Sequence, residues 1–129
     1  MITTGILNPQ LLSLLARVRH TNALVIADRG FPFWPQFETV DLSLVDNVPT
    51  VLEALKAIRE NFHVAGAFMA REFQKENDAV TRARFDRALA GVSVVFEPHR
   101  KFKLRVPTAI GLVRTGDTIQ YANIILISG

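Results

Sequence analysis

His20 and Asp28 bracket a short apolar run, Ala23-Leu24-Val25-Ile26-Ala27, and Tyr121 and Asn123 stand at the mouth of another, Ile124-Ile125-Leu126-Ile127. A histidine gives and takes protons near neutrality because its ordinary pKa is about 6.5. An aspartate within reach can fix an imidazole's tautomer or bind a hydroxyl, and a phenol and a carboxamide read hydroxyls directionally. Together these residues are the parts of a proton-transfer pocket for a hydroxylated ligand. His20 and Asp28 also have plainer readings. His20 suits a helix C-terminus, where a cation complements the dipole, and Asp28 ahead of Arg29-Gly30 suits a turn. His99, after Pro98, is open to either use; His63 sits among apolar residues at a helix end and reads as structural.

Other chemistries find no support. The chain has no cysteine, which removes disulfides, zinc thiolate sites and thiol nucleophiles. Its three histidines lack paired spacing, so no metal site is expected. No glycine-rich phosphate loop occurs, and Ser13 and Ser43 lack the context of a nucleophile elbow. A metal-free site follows. The formal charge of +3 raises the question of nucleic acid. Arg82, Arg84 and Arg87 alternate with Asp78 and Asp86, as on a solvated helix face, and Arg100, Lys101, Lys103 and Arg105 have only Phe102 among them as a stacking ring. Solvated surface is the better reading, and no nucleic-acid partner is expected. With 49% apolar residues, the chain has a surplus that a subunit interface would cover. No run approaches the roughly 20 apolar residues a bilayer span needs, and no signal peptide is evident. The expectation is a cytoplasmic protein without membrane partners.

The elements that must position these residues alternate. Asn8-Pro9 starts a helix through Leu11, Leu14, Leu15 and Val18 that ends near His20. Ala23–Ala27 reads as a buried strand, stopped by Asp28-Arg29-Gly30 and followed by the loop Phe31-Pro32-Phe33-Trp34-Pro35. A strand over Phe37–Leu42, a helix from Pro49 to Phe62 and a strand over Val64–Met69 follow. Asn77-Asp78 then caps a helix to about Ala90, a strand covers Val92–Phe96, and His99–Lys103 forms a helical turn. Strands over Ala109–Val113 and Tyr121–Ile127 close the chain around a turn at Thr115-Gly116-Asp117. The alternation predicts one α/β domain: a three-layer open sheet, mostly parallel, with an antiparallel C-terminal edge. In such sheets ligands gather beyond the strand carboxyl ends, where Asp28, Glu72 and His99 fall.

An ordered set of segments carries a resemblance. Gly5-Ile6-Leu7-Asn8, Arg19-His20-Thr21 and Val25-Ile26-Ala27-Asp28-Arg29-Gly30-Phe31-Pro32 open it. Asp41-Leu42-Ser43-Leu44, Val48-Pro49, Glu72 with Asn77, and His99-Arg100-Lys101-Phe102-Lys103 continue it. Val113-Arg114-Thr115-Gly116-Asp117 and Tyr121-Ala122-Asn123-Ile124-Ile125-Leu126 complete it. In these segments the chain resembles the D-ribose pyranase / L-fucose mutarotase family, more closely on the ribose side. The resemblance implies an intramolecular isomerase without cofactor or metal, exchanging pyranose and furanose forms of a free monosaccharide, D-ribose foremost. It carries His20 over as the catalytic acid/base. Asp28, His99, Tyr121, Ala122 (through its backbone) and Asn123 carry over as substrate ligands. It further implies ring-shaped homo-oligomers, such as pentamers or decamers, with sites between subunits. L-Fucose as the sugar and a non-catalytic sugar-binding or regulatory module are the alternatives. Arg19, Arg29 and Gln74 depart from the family's pattern. Arg29 brings a charge to the pocket rim, the motive for considering a phosphorylated or acidic sugar.

Overall fold

A computed structural model describes residues 1–129. The first helix, α1 (Pro9–Arg17), starts where the side chain of Asn8 accepts the N–H of Leu11 at 2.9 Å, with proline at the first turn. Strand β1 (Ala23–Ala27) is buried at every position. After β2 (Glu38–Asp41), a reciprocal cap between Thr50 and Glu53 opens α2 (Val51–Arg59). Then come β3 (Val64–Ala70), α3 (Arg71–Glu76), α4 (Ala79–Ala88) capped by Asp78, β4 (Ser93–Glu97), α5 (His99–Arg105), β5 (Gly111–Arg114) and β6 (Ile124–Ser128). Neither α3, a single short helix without a side-chain cap, nor the 3-10 turn Val106–Thr108 has a counterpart in the sequence reading.

The six strands form one sheet in the order β2-β5-β1-β6-β3-β4. Strands β1 to β5 share one direction, and β6 runs antiparallel to both of its neighbours, β1 and β3. The antiparallel C-terminal strand is therefore present, but it lies in the middle of the sheet and does not pair with β5. The physical reason is composition: Ile124-Ile125-Leu126 are buried on both faces, and an edge strand would leave one row in water. Inserting β6 backwards has a consequence for function. Its N-terminal end, which carries Tyr121 and Asn123, lies at the same rim as the carboxyl ends of β1, β3 and β4.

The sheet is covered unequally. Against one face α1, α2, α3 and α4 pack an 18-residue buried cluster that includes Leu14, Leu24, Ile26, Leu55, Ile58, Met69, Phe73, Phe85 and Ile124. Against the other, α5 and the loop after β1 bury a cluster of 9, including Val25, Phe31, Phe102, Val106 and Ile125. The layer is thin on that second side, and Phe33 (70% exposed), Leu104 (77%) and Val95 (48%) stay in contact with water. Arg105 lies 3.9 Å over the Phe68 ring and pairs with Glu97, so a cation covers part of what a helix would otherwise bury.

Candidate active site

The thin side ends in a cavity of about 340 Å³ at the strand-end rim, lined by Asp28, Gly30, Phe31, Pro32, His99, Gln120, Tyr121 and Asn123. Four of the predicted site residues meet there. Asp28 leaves β1, His99 opens α5 directly after β4, and Tyr121 and Asn123 precede β6. Only two of the eight lining residues are apolar, a composition suited to a ligand made of hydroxyls.

Local folding aims each group. The backbone N–H of Asp28 donates to Oδ1 of Asn123 at 2.8 Å, and its carboxylate accepts the N–H of Gly30 at 3.0 Å. Burial pushes the Asp28 carboxyl above its ordinary value. The N–H groups of Gly30 and Phe31 and the Asn123 amide pull it back, while the negative charge of Asp117 adds to the rise. Tyr121 adopts a left-handed backbone, φ +56°, which a non-glycine residue holds only where its surroundings impose it. That conformation turns its ring against His99, centroids 5.0 Å apart and nearly perpendicular. Phe31 and Phe102 close on the imidazole from 6.1 and 6.0 Å.

Both carboxylate oxygens of Glu72, in the first turn of α3, accept the N–H of His99, at 3.0 and 3.2 Å. Glu72 thus fixes the start of α5, a helix that lacks a side-chain cap of its own. Burial, then the Lys103 charge, hold the His99 pKa below 6.5, against the opposing pull of Glu72 and Asp28. Nε2 of His99 is buried without a hydrogen-bond partner. A neutral imidazole with an unspent nitrogen at a polar cavity is a group waiting for a ligand atom.

His20 is elsewhere. It is exposed and precedes β1, whereas Asp28 follows it; five strand residues at about 3.3 Å each put roughly 17 Å between the two ends. Within one chain Asp28 cannot orient the His20 imidazole, and the two form no single pocket. Bracketing a strand in sequence means opposite rims in space. Ala122 is fully buried in the core, so only its backbone can face a ligand. His63 is exposed at the same rim as His20, its ring beside the C-terminal Gly129. Arg29 does point a charge outward, but its guanidinium is paired at 2.7 Å with Asp46.

Sequence reasoning passed over Gln120, Gly30, Phe31 and Pro32 as lining residues, although the last three lie inside a segment that carries the resemblance and Gln120 adjoins another. It passed over Arg114 too, whose guanidinium donates to the carbonyls of Asp28 (3.0 Å), Arg29 (3.3 Å) and Pro32 (3.2 Å). Asp117, 1% exposed, was read as a turn residue. Its carboxylate also accepts the N–H of Val51, at the start of α2, and of Ile119, both at 2.8 Å.

Comparison with known proteins gives a consistent picture. The sequence model described as the RbsD / FucU transport protein family matches residues 1–129. A D-ribose pyranase of Geobacillus kaustophilus is 39% identical over 132 residues, covering 100% of this chain and 94% of that protein. A D-ribose pyranase of Chromobacterium violaceum is 41% identical over 125 residues, covering 97% and 95%. Among solved structures, Bacillus subtilis RbsD complexed with D-ribose superposes with a TM-score of 0.92 at 31% identity, covering 100% of this chain and 98% of that one. The fucose mutarotase of Streptococcus pneumoniae in complex with L-fucose shares the fold, with a TM-score of 0.80 at 22% identity, covering 95% and 92%.

Proposed function

The chain belongs to the RbsD / FucU family, and from that premise we propose that it is a sugar mutarotase of the D-ribose pyranase type. The observation that carries this reading is the convergence of Asp28, His99, Tyr121 and Asn123 on one polar cavity, in a fold matched end to end by a relative solved with D-ribose.

The chemistry needs only proton transfers. In the pyranose, the anomeric hydroxyl loses its proton to a base as the ring oxygen O5 receives one, the C1–O5 bond breaks, and the open-chain aldehyde forms. The O4 hydroxyl then attacks C1, losing its proton while the carbonyl oxygen gains one, and the furanose closes. No redox change occurs. Asp28 accepts from a sugar hydroxyl. His99 offers its free Nε2, and Tyr121 and Asn123 fix the remaining hydroxyls. General acid/base catalysis of about 10²–10⁴-fold suits a reaction that already proceeds in water.

His20 supplies the acid/base role from a neighbouring subunit. One chain holds it roughly 17 Å away from the cavity, exposed and free to enter the cavity of an adjacent copy. The water-facing Phe33, Leu104 and Val95 offer apolar surface for such packing, and a ring of copies would complete every site in the same way. No helix is long and apolar enough to cross a membrane, and we place the protein in the cytoplasm. At the rim Arg29 is engaged by Asp46, and a free sugar is the expected substrate.

The test is NMR saturation transfer between the β-pyranose and β-furanose anomeric signals of D-ribose, with L-fucose and phosphorylated pentoses run in parallel. Acceleration confined to free sugars and greatest for ribose is expected. Ligand-shifted melting with no acceleration would instead establish a binding module.

A further inference from the structure

Arg114, inside the Val113–Asp117 segment, lines no part of the cavity, yet spends its guanidinium on the loop that carries Asp28. We infer that Arg114 is a positioning residue for the reaction: it clamps the Asp28–Pro32 loop and so sets the direction of the Asp28 carboxylate. This inference rests on the reading of Asp28 as a sugar ligand.

The loop is anchored apolarly by Phe31, buried against Phe102 and His99, but few backbone partners hold its polar stretch. It leaves the sheet at Ala27, whose carbonyl accepts the N–H of Thr115 at 2.9 Å and its hydroxyl at 2.8 Å. Past that point no strand partner remains. The N–H of Asp28 goes to Asn123, that of Arg29 to the Asp117 carbonyl at 3.1 Å, and that of Gly30 to the Asp28 carboxylate itself. The carbonyls of Asp28, Arg29 and Pro32 all accept from Arg114, one terminal nitrogen serving the first two and the other the third. A planar fork with five N–H donors can bridge carbonyls that lie in different directions; a lysine ammonium is a single point and cannot span them.

The register explains why Arg114 can reach. It pairs with Ala27 on one side and Asp41 on the other, so its backbone is held between two strands at the rim where the loop begins. The chain's ion pairs are Arg17–Glu38, Arg29–Asp46 and Arg105–Glu97; Arg114 belongs to none of them. Its side chain is thus committed to backbone carbonyls. Since Gly30, Phe31 and Pro32 form one wall of the cavity, the same clamp shapes the space around the sugar.

The experiment compares Arg114→Met and Arg114→Lys with the parent, alone and combined with Asp28→Asn. Ribose Kd is followed by titration, and hydrogen exchange at the amides of Arg29 and Gly30 by NMR. Arg114→Met is expected to weaken ribose binding about tenfold in the parent and less than about twofold when Asp28 is already asparagine, because the two residues act as one unit. Arg114→Lys should fall between, and exchange at Arg29 and Gly30 should quicken in both. Ribose binding and amide exchange equal to the parent's overturn the inference, as does a full tenfold loss that persists in the Asp28→Asn background. If Asp28→Asn alone leaves ribose binding intact, the ligand reading of Asp28 fails instead, and unchanged amide exchange in the Arg114 variants would separately dismiss the clamp. Should Arg114→Met not fold, Arg114→Lys carries the same comparison.

Discussion

Oδ1 of Asn123 accepts the backbone N–H of Asp28 at 2.8 Å, tying the end of β1 to the start of β6 across 95 residues of sequence. One side chain therefore lines the cavity and holds the loop opposite it. Asn123 is 3% exposed, and removing its amide leaves the part-buried N–H of Asp28 without its partner. Asn123→Ala is expected to cost about 1–3 kcal/mol of stability, measured by urea unfolding, together with a loss of ribose binding. A variant as stable as the parent would show that another acceptor replaces the amide.

Asp117 does the corresponding work one layer away. Its carboxylate accepts the N–H groups of Val51 and Ile119, and its position at the start of α2 places a negative charge where the helix dipole favours one. Asp117→Ala should destabilise by about 1–3 kcal/mol in chemical unfolding. It should also lower the Asp28 pKa, because the charge of Asp117 is among the causes of its rise. An Asp28 carboxyl whose carbon-13 titration is unmoved would separate the two residues electrostatically.

The pH dependence of stability follows from His99. Its folded pKa is held below 6.5, chiefly by burial. In the interval up to 6.5 the unfolded chain then binds more protons than the folded one, so this group makes stability rise with pH and its effect is complete above that value. Replacing His99 by glutamine should flatten that part of the profile, read as parent-minus-variant unfolding free energies from acid to neutral pH. An imidazole that titrates above 6.5 by NMR would reverse the sign.

Much of the fold was legible because burial writes simple patterns. Ala23–Ala27 is apolar throughout and became a strand buried at every position, while Asn8-Pro9 and Asp78 marked helix starts that the backbone uses. The place of β6 was not legible. A run such as Ile124–Ile127 announces burial on both faces but not which neighbours provide it, and pairing partners far along the chain, in β1 and β3, leave no local trace. The site was half legible for the same reason. Asp28 and His99 follow strands and so fall at the carboxyl rim, whereas His20, eight residues before Asp28, falls at the other. The clamp by Arg114 had no local sign, since its acceptors are backbone carbonyls that any residue type carries.

His20→Ala should leave unfolding unchanged, since the imidazole is exposed, while ribose exchange falls by about 10²–10⁴-fold toward the uncatalysed rate. Ribose binding should persist, because Asp28, His99, Tyr121 and Asn123 remain. If His20→Ala catalyses as well as the parent, the proton transfers belong to His99 and Asp28 within one chain.

The most direct test of the central claim is complementation. His20→Ala and Asp28→Asn chains, each inactive alone, are co-expressed, and ribose ring exchange is measured by saturation transfer against the parent. Where every site takes His20 from one chain and Asp28 from another, random assembly of equal amounts makes about a quarter of the sites intact, and about a quarter of parent activity returns. Mixed assemblies that stay inactive while the parent accelerates exchange would contradict the shared site, and a parent that does not accelerate exchange would contradict the mutarotase itself.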